Sequence, residues 1–194
     1  DYEDFALAFT GIAKARAQVL QLPAGPTIAI TVAGQDGAAV SDGNPVRNSL
    51  RLALKQSGDP YVKVLLLSYQ ASTFRLGLKV KRDPAYDIAD LLAAVEAALR
   101  AHYSFDARSL AQPVLQSDVI AVAHSVPGVV AVDLDFLYGG TLPLSQVAKS
   151  RQTRLLASRA RVSGGVALPA ELLTLHPGPL DRLGGLKGRK AGLT

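Results

Sequence analysis

Ser72-Thr73-Phe74-Arg75-Leu76-Gly77-Leu78-Lys79-Val80-Lys81 alternates apolar with polar or small residues along its length. Successive side chains of a strand point to opposite faces, so Phe74, Leu76, Leu78 and Val80 share one face and Arg75, Gly77, Lys79 and Lys81 the other. The pattern predicts a strand with one buried face and one basic, solvated face, as in an open antiparallel sheet with helices on one side. Asp83-Pro84 ends it. Ile88, Leu91, Leu92, Val95 and Leu99 then recur at helical spacing, which predicts an amphipathic helix over residues 86–103. After a loop containing Pro113, Ser117 is placed to cap a short helix over 118–124. Pro127-Gly128 turns the chain into a strand over 129–138. Residues 70–138 therefore read β-α-α-β.

The preceding stretch gives a similar unit. Asp1 caps a helix over 2–9, whose acidic residues Glu3 and Asp4 suit its positive end. A half-exposed strand follows over 12–22, then the turn Pro23-Ala24-Gly25-Pro26. Residues 27–32 are β-branched and apolar and fit a central strand. A Gly-, Asp- and Ser-rich loop leads to Asn44-Pro45, a helix start with Asn as cap and Pro in the first turn. Val46, Leu50, Leu52 and Leu54 supply the buried stripe, and residues 61–69 form another strand. The order is α-β-β-α-β. Thr10-Gly11-Ile12 and Pro127-Gly128-Val129 echo one another, each glycine letting the chain reverse from a helix into a neighbouring strand.

The expected fold class is α+β. Two small α/β sandwich lobes, residues 1–69 and 70–138, carry mainly antiparallel sheets, and residues 139–194 follow as an extended, basic C-terminal arm. Gly139-Gly140 opens that arm, and Lys149, Arg151, Arg154, Arg159 and Arg161 follow with no acid among them. An apolar cluster spans 166–175, and the end is Gly- and Lys-rich. Leu168, Leu172, Leu173 and Leu175 are the expected anchors of a docking segment, with Arg151, Arg154, Arg159 and Arg161 steering it against acidic surface on a partner. The competing expectation is that the leucines cover an edge of their own lobes.

Composition narrows the function. The chain of 194 residues is 48% hydrophobic and 19% charged, enough for a real core and unlike a disordered polyelectrolyte. No apolar run reaches the roughly 18 residues of a membrane helix, and the opening Asp-Tyr-Glu-Asp is not a secretory signal. The absence of Met, initiator included, points to a start inside a longer chain. With no Cys, disulfides, thiolate metal sites and cysteine nucleophiles are excluded. The net charge of +5 invites a nucleic-acid reading, but the excess sits in the tail, which suits subunit contacts better.

No catalytic constellation stands out. His102, His124 and His176 are far apart, without partners at metal-ligand spacing. Asp133 and Asp135 resemble a carboxylate pair, yet read as solvated alternates between Val132, Leu134 and Phe136. Neither Gly34-Gln35-Asp36-Gly37 nor the Gly-rich run from Gly184 to Lys190 has the Gly-Lys-Ser/Thr of a phosphate loop, and Ser163-Gly164-Gly165 is no nucleophile elbow. An RNA-reading sheet would need exposed aromatics on central strands, and only Tyr69 and Phe74 come near. No enzyme, cofactor or metal is expected. A nucleic-acid-binding module using the basic tail is the alternative function.

Several short stretches, in order, carry a resemblance. They are Asp1-Tyr2-Glu3-Asp4-Phe5-Ala6, Thr10-Gly11-Ile12-Ala13-Lys14-Ala15-Arg16, the helix from Asp90 to Leu99, Gln116-Ser117-Asp118-Val119-Ile120 and Val126-Pro127-Gly128-Val129. Together they resemble the C-terminal half of the baseplate J-like family of contractile phage tails and phage-tail-like injection systems. The segment from Leu168 to Leu175 is similar to the closing segment of the injection-system branch. The chain departs from the family in reading Thr-Gly-Ile where Pro-Gly-Val is common. The resemblance implies a non-enzymatic wedge subunit, arranged with six-fold symmetry around a hub. Such a subunit pairs with itself or a paralogue, links hub to sheath, and takes part in the rearrangement that triggers contraction. It further implies particle assembly in the bacterial cytoplasm and contacts with other baseplate subunits.

Overall fold

A computed structural model describes residues 1–186. In chain order the elements are α1 (Tyr2–Leu7), β1 (Ile12–Leu22), β2 (Gly25–Gly34), α2 (Pro45–Ser57), β3 (Val64–Ser68), β4 (Gln70–Arg82), α3 (Ile88–His102), β5 (Val114–Leu115), α4 (Gln116–His124) and β6 (Val129–Gly139). Five short strands follow: β7 (Arg154–Leu155), β8 (Arg161–Ser163), β9 (Val166–Leu168), β10 (Glu171–Leu175) and β11 (Arg182–Gly185). The fold class is α+β with small, mostly antiparallel sheets. The chain divides into two compact units. One holds Asp1–Ser72, Arg108–Gln112 and Leu156–Leu173; the other holds Thr73–Ala107, Pro113–Leu155 and the chain from Thr174.

In the first unit the sheet order is β1-β2-β3, with β1 antiparallel and β3 parallel to β2. Local chemistry sets the helices. The Asp1 side chain accepts from the Glu3 amide, and Asn44 Oδ1 accepts from the Val46 amide at 2.9 Å, with Pro45 in the first turn. Leu50 and Leu54 bury against Ile30, Val32 and Leu66, with Ala6 from α1. Leu52, expected in that stripe, is 56% exposed. At 100° per residue it lies about 200° around the helix from Leu50. The opposite face of the sheet is also covered. Leu20 and Ala29 pack with Ala160 and Ala167, flanked by Leu22, Leu65 and Leu67. The β8–β9 hairpin, turning at Gly164-Gly165, thus lies on the second face.

In the second unit β4 pairs with β6 antiparallel along one edge and with the parallel strand β11 along the other. Phe74, Leu76, Leu78 and Val80 are fully buried, as their alternation predicts. Leu91, Val95 and Leu99 of α3 and Val119 and Ala123 of α4 are buried too. Asp87 caps α3, accepting from the Ala89 and Asp90 amides, so the helix starts at Ile88 and not at Tyr86. The α4 helix begins at Gln116 with no side-chain cap, so Ser117 does not perform the expected capping.

The stretch expected as an extended arm departs from that expectation. From residue 154 to 185 it forms β7 to β11, and Leu172 and Leu173 are buried among residues of the first unit. Composition alone scores the segment as poor in core-forming residues. It cannot score the uncovered second face of a sheet formed more than a hundred residues earlier. The final stretch of the expected arm, residues 187–194, lies outside the described residues.

The sequence echo has a backbone counterpart. Gly11 and Gly128 have φ of +91° and +93°, left-handed values that place each strand directly after a short helix. At Gly128 a Cβ would lie 2.5 Å from the Tyr86 ring, whereas at Gly43, with φ of +86°, it would meet nothing within 4 Å. Gly43→Ala is expected to cost about 1 kcal/mol from the backbone alone. Gly128→Ala is expected to cost about 2–4 kcal/mol through added overpacking. Urea unfolding midpoints measure both, and equal costs would contradict the packing account.

Candidate assembly surface

The residues that most resemble chemistry resolve into structural roles. His102 and His124 are exposed, and His102 sets its ring edge-to-face on Tyr103. His176 Nδ1 accepts from the Gly178 amide at 3.0 Å and lies 3.1 Å from Arg75 Nη1. Among the described residues, no group of three or more His, Cys, Asp or Glu side chains is placed to hold a metal ion. Phe74 is buried and meets Tyr103 edge-on at 5.1 Å, and the Tyr69 hydroxyl donates to the Gly37 carbonyl. Phe74 therefore offers no face for a nucleic-acid base.

The expectation for Asp135 is overturned. Asp133 is solvated as expected, but Asp135 is buried and paired with Lys79 at 3.0 Å and Arg182 at 3.1 Å. The cause is a bulge. Phe136 pairs with Gly77 and Leu134 with Leu78, which leaves Asp135 between them without a ladder partner. Leu134 and Leu137 then both lie opposite inward residues, Leu78 and Leu76, and strict alternation fails here, as it does again at Val130 between Arg82 and Lys81. Gly77 makes room, since a Cβ there would lie 2.8 Å from the Phe136 ring and 3.0 Å from Arg182. Burial acts to raise the Asp135 pKa, but hydrogen bonds from Lys79 and Arg182 outweigh it and hold the carboxyl below its ordinary value.

A second carboxylate works the same face of β4. Asp181 accepts from Arg75 Nη2 at 2.7 Å and Nε at 3.0 Å, and from the Tyr138 hydroxyl. The Asp181 hydrogen bond raises the Arg75 pKa against the effect of burial. Tyr138 is pushed up to about 12, first by burial and then by Asp181. From α3, Arg100 donates to the carbonyls of His176, Pro177 and Gly178, with Glu96 holding it at 2.6 Å. Two arginines thus clamp the His176-Pro177-Gly178-Pro179 turn. The face of β4 that alternation marks as basic and wet is therefore largely neutralised and covered.

Comparison with known families bears on the first part of the chain. Residues 1–67 match the family described as Baseplate J-like central domain. This part of the chain is similar to a baseplate J-like domain. Among curated proteins none matches the chain. The match coincides with the first α-β-β-α-β arrangement, and it supports a structural role in a phage baseplate, in assembly with other baseplate proteins. Among the described residues no helix is long and apolar enough to cross a membrane.

Beside that domain, the residues expected to dock on partners separate into two classes. Leu172, Leu173 and Leu175 are buried and Leu168 is half-buried, within the chain's own packing. The Ala170 amide donates to Thr31 Oγ1 at 3.0 Å and fixes the segment to β2. Arg151 donates through Nε to the Asp135 carbonyl, which the bulge leaves out of the ladder. Arg154, Arg159 and Arg161 are exposed, with no ion pair among the described residues. Exposed apolar side chains, Leu156 at 68% and Val166 at 64%, accompany the last two arginines in the first unit. Sequence reasoning missed Asp135 and Asp181, whose basic partners are distant along the chain.

Two outcomes follow for stability. Asp135→Asn is expected to destabilise by about 1–3 kcal/mol at neutral pH, less than a fully buried pair because Lys79 and Arg182 are partly exposed, while Asp133→Asn stays within about 0.5 kcal/mol. With its pKa depressed, Asp135 contributes above the ordinary carboxylate pKa and loses that contribution as pH falls through its folded value. The gap between wild type and Asp135→Asn should therefore close in acid, and a pH-independent gap would contradict the ion-pair account. Tyr138 has the opposite sign. Its contribution is complete below about pH 10 and is lost between about pH 10 and 12, as the unfolded chain ionises first. Thermal unfolding of Tyr138→Phe should lack that part of the alkaline decline.

Proposed function

We propose that the chain is a wedge subunit of the baseplate of a contractile phage-tail-like particle, joining hub and sheath through protein–protein contacts. On this reading it stands in a six-fold assembly, pairs with a copy of itself or a related wedge protein, and shares in the rearrangement that triggers contraction. The match of residues 1–67 to the baseplate J-like central domain carries the proposal. The role is non-enzymatic, in keeping with carboxylates and histidines that hold strands and turns together. Arg154, Arg159 and Arg161 face the partners, and Leu168, Leu172, Leu173 and Leu175 anchor the chain around them. The particle is assembled in the bacterial cytoplasm.

Electron microscopy tests the placement. An epitope tag on this chain should label one end of the particle, at the baseplate. Label along the sheath, or only on soluble protein, would refute it. Arg159→Glu with Arg161→Glu should reduce the yield of assembled particles several-fold while shifting the stability of the isolated chain by less than about 0.5 kcal/mol, as for exposed charges away from packed features. Loss of fold instead of assembly would move these arginines out of the interface.

A further inference from the structure

We infer that the groove between α2 and β3 receives an extended acidic segment of another protein chain, which adds to β3 as a further strand. The inference deepens the baseplate reading and rests on it only for which chain supplies the segment. The groove encloses about 500 Å³ and lies wholly within the first unit. Its floor is apolar, with Leu54, Val64 and Leu66. Arg47, Arg51 and Lys55 line the groove together with one acid, Asp59, whose carboxylate accepts from the Tyr61 amide at 2.8 Å. Arg47 pairs with Asp42 at 2.9 Å, while Arg51 and Lys55 are exposed and make no ion pair among the described residues.

One wall is a sheet edge. β3 ends the order β1-β2-β3 and pairs only with β2 among the described strands. In this ladder the Lys63 carbonyl accepts from Ile28, and the Tyr69 amide donates to Val32. Alternation along a parallel strand then turns the amides and carbonyls of Val64 and Leu66 away from β2, toward the groove. An added strand would satisfy them by main-chain hydrogen bonding, with side-chain chemistry selecting the partner.

The charge spacing selects it. Residues four apart on a helix rise about 6 Å. Residues two apart on a strand advance about 6.6–6.8 Å. Acidic side chains on alternate residues of the incoming strand would therefore keep step with Arg51 and Lys55, Arg47 being held already by Asp42. A second copy of this edge would bring the same cations into the groove and repel. Nucleic acid fits less well, because no aromatic lines the groove and its floor is aliphatic.

The test is fluorescence polarisation with the whole chain and a labelled eight-residue peptide alternating valine and glutamate. Three comparison probes are the valine–lysine analogue, the valine–glutamate peptide N-methylated at every amide, and an eight-nucleotide oligothymidine. Saturable binding of the valine–glutamate peptide is expected, weakened at least tenfold by N-methylation and by Arg51→Glu with Lys55→Glu. Both residues are exposed, so an unchanged melting temperature checks that the variant stays folded. No saturation, indifference to N-methylation, equal binding of the lysine analogue, or tighter binding of oligothymidine would each overturn the inference. Peptide binding by a chain absent from baseplates would leave the groove standing and remove the wedge reading; a baseplate chain that ignores the peptide would do the reverse.

Discussion

β2 has no face to give to solvent. Ile30 and Val32 are buried beneath the two helices of the first unit, and Ala29 and Thr31 are buried on the other side. A strand buried on both faces needs two covers, and an open α/β sandwich supplies one. Here the second comes from residues 156–173, which lay Ala160 and Ala167 against the sheet and donate from the Ala170 amide to Thr31 Oγ1. Thr31 shows how closely cover and strand are matched. A buried hydroxyl without a partner would cost on the order of 1–3 kcal/mol, and the returning backbone supplies that partner.

The second unit meets a related constraint with different chemistry. The inner face of β4 is aliphatic and aromatic, but its outer face carries Arg75 and Lys79. Covering these cations with apolar side chains would strand charge in a poor dielectric. The chain instead brings Asp135 through a bulge and Asp181 through the turn before β11, so each cation meets a carboxylate near 3 Å. Such pairs are weak contributors to net stability once desolvation is counted, but they set geometry firmly. The bulge, the small Gly77 and the Arg182 guanidinium over Phe136 form one arrangement that fixes how β6, β4 and β11 align.

The parts of this fold that were legible in the sequence share one property, which is that their cause is local. Asn44-Pro45 caps and starts a helix with atoms two residues apart, and the alternation of Phe74 to Val80 reports a burial that every member shares. The order of elements through residue 139, apart from the two-residue β5, follows from such signals. The bulge at Asp135 was hidden because its pattern is read as plain alternation unless the partner strand is known. The covering segment was hidden for a related reason: Ala160 and Ala167 are small, and small residues carry little hydrophobic signal. They matter because Ala29 across the interface is small too, so backbones approach closely. The family resemblance is carried by short ordered stretches from Asp1 to Val129, of which only those within residues 1–67 fall in the matched domain.

An assembly protein faces a conflict between completing its own core and leaving surface for partners. With Leu172, Leu173 and Leu175 taken up internally, the apolar cluster no longer supplies a free docking arm. What remains outside includes cations, Arg154, Arg159 and Arg161 in the later segment and Arg51 and Lys55 beside the open edge of β3, with exposed Leu156 and Val166 among them. An uncovered strand edge is a hazard in any free subunit, because it pairs with whatever strand arrives. Charges beside it answer that hazard by repelling copies of the same edge. The same charges admit an acidic strand, so one arrangement can both protect the unassembled chain and select its partner. The strength of that selection grows as the edge closes, since burying the incoming carboxylates beside Arg51 and Lys55 lowers the local dielectric and makes a wrong charge costlier than in the open groove.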